Sequence, residues 1–233
     1  MKATFLIFSL AEGLKLNGGA DIRVRSNTRT TRQMESLAAD MFNKQLGSSS
    51  FTADSWTDAF MEYGCYCNKL VQGGGHLPGV DASDINYDKH ESLCMDLYAC
   101  YKCINIDYDH NGTYAATVME YTAEVTADGE YTCLDPENDS DNHLDNCPLD
   151  VCRCDKMFAE KILENYRRCK NGETEFCLKD QFQHANGFSG DQCEDVGEKK
   201  EKHDSCCGRY PNRKPMTTMK ECCDNRIVDY GTC

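Results

Sequence analysis

The sequence predicts a mainly α-helical, disulfide-rich fold with a small β-wing and a cysteine-rich C-terminal extension. Three observations predict it. Seventeen cysteines stand in 233 residues, all at or after Cys65, a density near that of disulfide scaffolds. Several stretches among and before them carry apolar residues at helical spacing. Between the two longest lie Asn111-Gly112 and Asp128-Gly129, dipeptides that favour two-residue hairpin turns. A cytosolic chain rarely carries so many cysteines. Zinc is the competing use for them, but only Cys100–Cys103 has Cys-x-x-Cys spacing, and a closed tetrahedral site needs four ligands. A secreted, extracellular protein is therefore expected. The odd cysteine is free, joined to another chain or removed in processing.

Charge narrows the function. Lysine plus arginine total 25 against 39 acids, a net charge of −14. The first 33 residues carry six basic and two acidic residues, or +4; the remaining 19 basic and 37 acidic residues give −18. Such a chain repels nucleic acid and anionic bilayers and attracts multivalent cations.

Three segments follow in order. In residues 1–33, Lys2 precedes the apolar run Ala3–Ala11, the order of a secretory signal. Arg23, Arg25, Arg29 and Arg32 then form a basic stretch, read as a propeptide or a disordered tail. No run approaches the roughly 20 apolar residues of a transmembrane segment. Residues 34–169 form the main domain. Met34, Leu37, Ala38, Met41 and Phe42 mark a helix that stops at Gly47-Ser-Ser-Ser50. Asp54–Tyr63 leads into Tyr63-Gly-Cys-Tyr-Cys67, and a loop with Gly73, Gly74 and Gly75 follows. Asp81 caps a helix running to about Cys103. Two hairpins are expected next: Ile104–Asp109 with Thr113–Tyr121, and Thr122–Thr126 with Glu130–Cys133. The acidic stretch Asp135–Asp145 is a loop. Pro148 suits the first turn of the longest helix, which ends near Cys169. Residues 170–233 form the cysteine-rich extension, where the helical pattern fades. Asn111 and Asn138 begin glycosylation acceptors.

One constellation carries chemistry. His90, Leu93, Cys94, Leu97 and Tyr101 share a helix face. Val151, Cys152, Asp155, Phe158, Ala159, Ile162 and Tyr166 share another. A buried carboxylate needs a partner, so His90 and Asp155 are candidates for a general-base pair; the alternative is an ordinary hydrogen-bonded core histidine. Asp107-Tyr-Asp109-His-Asn111-Gly112 copies the opening of an EF-hand loop, but Val118 stands where the bidentate glutamate belongs, the flanks read as strands rather than helices, and a hairpin turn is the favoured explanation.

The run Tyr63-Gly-Cys-Tyr-Cys67, the glycine-rich loop, Asp81-x-x-Asp84 before a helical histidine, and Cys147-x-x-x-x-Cys152-x-Cys154-Asp155-x-x-x-Ala159 together resemble the secreted phospholipase A2 family. The resemblance covers about residues 34–169. The tail motif Ser205-Cys-Cys-Gly-Arg-Tyr-Pro211 is similar to extensions of phospholipase A2-like extracellular proteins. The resemblance implies calcium-dependent hydrolysis of the sn-2 ester of glycerophospholipids at a phospholipid aggregate or membrane surface; the acidic charge of the chain favours zwitterionic over anionic lipid. It implies His90 as base and Asp155 as the carboxylate that orients it. Calcium would be held by Tyr66, Asn68, Leu70 and Glu91, or with Gly73 and Gly75 supplying loop carbonyls instead. An apolar slot would be lined by Met34, Leu37, Met41 and Phe42, residues that plain core packing explains as well.

The resemblance also implies bridges Cys103–Cys147, Cys94–Cys154 and Cys133–Cys152. Departures accompany it. The family has aspartate where Glu91 stands, and residues 68–72 are inserted before the glycines. Family tyrosines that pair with the aspartate fall at Met95, directly after the helix cysteine, and at Gly129, so Tyr98 or Tyr131 would have to substitute. Cys94 sits one residue later than the family cysteine. Asn86 and Tyr87 occupy an adjacent cysteine pair, and Lys161 the partner of its first member. These departures support a second reading, a non-catalytic phospholipase A2-like matrix or calcium/mineral-associated protein.

Overall fold

The computed structural model describes residues 30–61, 66, 67, 70, 89–108, 116, 119–134, 146–173 and 203–233, with residues 30–32 by backbone alone. The described residues are mainly helical, with small two-stranded sheets and several disulfides.

Helix α1 spans Thr30–Leu46, so it starts before the boundary expected at residue 34. Its apolar stripe is buried as a set: Met34, Met41 and Phe42 are fully enclosed and Leu37 nearly so. Gly47 ends it at φ +61°, and Ser48 N–H returns to the Asn43 carbonyl at 2.9 Å, a Schellman closure. Helix α2 spans Ala53–Phe60. Thr52 and Ser55 form a reciprocal capping box, Ser55 N–H to Thr52 Oγ1 at 3.1 Å and Thr52 N–H to Ser55 Oγ at 2.8 Å; such caps contribute about 1 kcal/mol. Trp56 and Phe60 turn inward from α2 and meet Phe42 at ring separations of 6.1 and 5.2 Å.

Helix α3 spans Lys89–Tyr108, five residues past its expected end. Residues Ile104–Tyr108 therefore belong to a helix and not to the expected strand of an Asn-Gly hairpin. The reason lies in the pattern: Leu97, Tyr101, Ile104 and Tyr108 continue one buried face, and burying it outweighs a local turn preference. The second hairpin forms as β1, Ala123–Val125, paired with β2, Tyr131–Cys133. Gly129 turns it at φ +79°, and a Cβ there would stand 2.4 Å from Gln45 Cγ. Gln45 Nε2–H and Lys44 Nζ–H instead donate to the Gly129 and Val125 carbonyls, each at 2.7 Å, fastening this wing to α1.

Helix α4 spans Cys147–Lys170, with Pro148 at its start. It packs antiparallel to α3. Asp96 meets Lys161 at 3.1 Å, Tyr101 meets Asp155, and Tyr108 meets Asp150 at 2.6 Å. That register sets the bridges. Cys133–Cys152 forms as expected, but Cys154 bonds Cys100, Cys94 bonds Cys67, and Cys103 bonds Cys206. The expected Cys94–Cys154 bridge is excluded by distance. Cys94 lies opposite the turn beyond Lys161, so Cys154 is about nine residues, ~13 Å, away along α4. A bridge tolerates a Cα separation of about 7 Å at most. Cys103 is similarly offset from Cys147, by about seven residues or ~10 Å.

The described part of the extension holds two hairpins. Strand β3, His203–Cys207, pairs with β4, Lys214–Thr217, and β5, Lys220–Cys223, pairs with β6, Arg226–Asp229. The first hairpin is docked on α3. Arg213 Nε–H and Nη2–H donate to Asp107 Oδ2 and Oδ1 at 2.6 and 3.1 Å, and Tyr210 O–H donates to Asp107 Oδ2 at 2.7 Å. Asp107 thus serves a clamp, not the opening of an EF-hand loop. Cys207–Cys222 and Cys223–Cys233 secure the second hairpin.

Candidate functional site

Asp155 is the most deeply buried polar group of the constellation, with no exposure. Helix α4 places it between Cys152 and Phe158 on the core stripe. Both carboxylate oxygens are occupied. Tyr101 O–H, from α3, donates to Oδ1, and Tyr121 O–H, from the segment before β1, donates to Oδ2 at 2.6 Å. Tyr131 on β2 extends the network, its hydroxyl 2.8 Å from that of Tyr121. Gln33 Nε2–H holds the Tyr121 carbonyl at 2.6 Å. Burial pushes the Asp155 carboxyl up to about 7, while the two phenols pull it down and the nearby Glu35 carboxylate raises it. The three tyrosines are held well above their ordinary value, first by burial, with the Asp155 charge next.

His90 is elsewhere. It precedes Tyr101 by three helical turns, about 16 Å along α3. Its buried ring donates Nε2–H to the Phe60 carbonyl at 2.6 Å and stacks on the Phe60 ring. Among the described residues no hydrogen bond joins His90 to Asp155. The histidine adopts the ordinary alternative, a hydrogen-bonded core residue. Its neighbours within ligand range are Cys67 and Cys94, and these are bonded to each other, which removes them as metal ligands.

Glu91 and Tyr66 are brought together, though through the backbone N–H: Tyr66 N–H donates to Glu91 Oε1 at 2.5 Å. Leu70 is buried. Asn68, Gly73 and Gly75 lie outside the described residues, as do Asn111 and Asn138. Of the Glu91 carboxylate, the Oε1 oxygen is taken by the Tyr66 amide. Beside it the Tyr66 ring meets the Tyr98 ring edge-on at 5.3 Å, an apolar contact. The slot residues Met34, Leu37, Met41 and Phe42 are core.

Tyr101 and Tyr121, which hold Asp155, are not among the site residues expected from the sequence. Tyr101 was on the stripe already noted, directly after a cysteine; the misplaced Cys94–Cys154 pairing hid its role. No local signal marked Tyr121. No protein-family model matches the chain, and no solved structure matches it. Among the described residues no helix is long and apolar enough to cross a membrane. The bridges fit an oxidising compartment.

Proposed function

We propose that the chain is a phospholipase A2-like extracellular protein without turnover, a binding or matrix component that keeps the scaffold of the lipase and lacks its base. One observation carries this reading: Cys154 bonds Cys100, and the residue after Cys100, Tyr101, donates to Asp155. In the family pattern the helix cysteine bridges to the cysteine before the orienting aspartate, and a tyrosine follows that helix cysteine. Cys100 meets both conditions and Cys94 meets neither. With Cys100 as the anchor, the histidine position three residues earlier is Leu97 and the calcium carboxylate position is Tyr98.

The rest of the pattern supports the same register. The adjacent cysteine pair falls at Leu93 and Cys94, and the partner of its absent first member is still Lys161. Tyr101 follows Cys100 as the pattern expects, and Tyr121 supplies the second hydroxyl to Asp155 from a position other than the expected Gly129. Leu97 sits one turn from Tyr101, about 6 Å along the helix, where a base would face Asp155; it offers no proton acceptor. The Tyr98 ring lies against Tyr66 and offers no hard carboxylate oxygen for calcium. The net charge of −14 favours a role among multivalent cations over one at an anionic membrane.

The test is a calcium-dependent hydrolysis assay on mixed phospholipid micelles, with an active secreted phospholipase A2 as control. The expected result is no turnover by the wild type at millimolar calcium. Turnover that disappears in His90→Gln would restore the enzymatic reading and overturn this one.

A further inference from the structure

Asp155 is buried with its hydroxyl donors from separate elements and with no cation. The groups facing it are Tyr101 from α3, Tyr121 from the segment before β1, Tyr131 from β2 through Tyr121, and Glu35 from α1. On its own helix, Lys156 directs its ammonium to the Tyr131 carbonyl at 2.5 Å and to Glu160 at 3.4 Å. Among the described residues no positive group pairs with Asp155.

The hydroxyl chain has two arrangements. With Asp155 ionised, Tyr101 and Tyr121 donate to its two oxygens and Tyr131 donates to Tyr121. With Asp155 neutral, its own O–H donates to Tyr121, Tyr121 donates to Tyr131, and Tyr101 still donates to the remaining oxygen. Protonation removes the buried charge, and the Tyr131 O–H gives up its place as donor to Tyr121. The ionised arrangement alone carries a buried, uncompensated charge beside Glu35, which is costly.

We propose that Asp155 and the Tyr101, Tyr121 and Tyr131 hydroxyls form a proton-controlled clasp that tightens the packing of α1, α3, α4 and the β-wing below neutral pH and loosens it above. This inference does not require the non-catalytic reading, because the clasp uses no substrate. The folded carboxyl is raised to about 7 from 3.8. A group raised on folding favours the folded state at low pH. Its contribution is fully present below the unfolded value, declines as pH rises, and is gone once pH passes the folded value.

Thermal unfolding of the full chain, with disulfides intact, tests this across about pH 5 to about pH 8. The wild type should lose melting temperature as pH rises, most steeply between about pH 5 and about pH 6 and levelling off above 7, and Asp155→Asn, which stays neutral, should flatten that decline. Carbon-13 resonances of labelled aspartate carboxyls provide a readout that needs no variant: one should titrate near neutrality in the folded protein. A wild-type melting temperature that is flat or rising over this range would overturn the proposal. So would an undiminished decline in Asp155→Asn, or a spectrum in which every aspartate is already ionised at the acid end.

Discussion

A carboxylate with both oxygens held by phenols is a packing element, and its partners should matter in proportion to what they leave unsatisfied. Tyr121→Phe removes the donor to Oδ2 and breaks the chain to Tyr131. A loss of about 1–3 kcal/mol is expected by chemical denaturation; a change near zero would mean that the bond contributes nothing net. His90 makes the same point in reverse. Its place on an apolar stripe beside a cysteine was legible in the sequence, and its burial follows from that. Its partner was not, because the Phe60 carbonyl is a backbone group 30 residues away with no side-chain signature. The helical period revealed which face His90 occupies but could not reveal how far along that face Asp155 lies.

The elements were legible where periodicity was long. The stripes of α1, α3 and α4 are the buried faces, and the Asp128-Gly129 turn sits between its strands. The strand expected before Asn111-Gly112 is helix as far as Tyr108, where the helical pattern runs on; the dipeptide itself lies outside the described residues. Cys133–Cys152 forms as expected; the other two expected bridges do not, because cysteine spacing alone does not specify the register between two helices, whereas Asp96–Lys161 and Tyr108–Asp150 do. Element by element, α2 is the piece whose stability rests on the fewest residues. Trp56→Ala should cost about 3–5 kcal/mol, since the ring is fully enclosed among Phe42, Phe60 and Phe158 and its cavity cannot collapse. Thr52→Ala should cost about 1 kcal/mol through the lost cap. Equilibrium unfolding of both variants checks the order; a larger loss for Thr52→Ala would contradict the packing account.

At the scale of the whole molecule, the extension is integrated with the helical body. Cys103–Cys206 crosses to α3, and Arg213 and Tyr210 converge on Asp107. Asp107→Asn should weaken this clamp and raise protease sensitivity near residues 203–217 while leaving the β1–β2 wing protected, which limited proteolysis with peptide identification reads directly. Equal protection in both proteins would mean that the bridges alone hold the hairpin. The cysteine-rich character of the extension was legible; its docking surface was not, because the residues that bind it are scattered over α3. The helix register sets Tyr101, with Leu97 one turn before it, against Asp155 and leaves His90 three turns away, and non-reducing peptide mapping tests that register most directly. Cleavage at Met95 separates Cys94 from Cys100, and tryptic cleavage at Arg153 separates Cys152 from Cys154. The account predicts the Cys154 peptide linked to the fragment containing Cys100; recovery of Cys154 linked to the fragment containing Cys94 would contradict it.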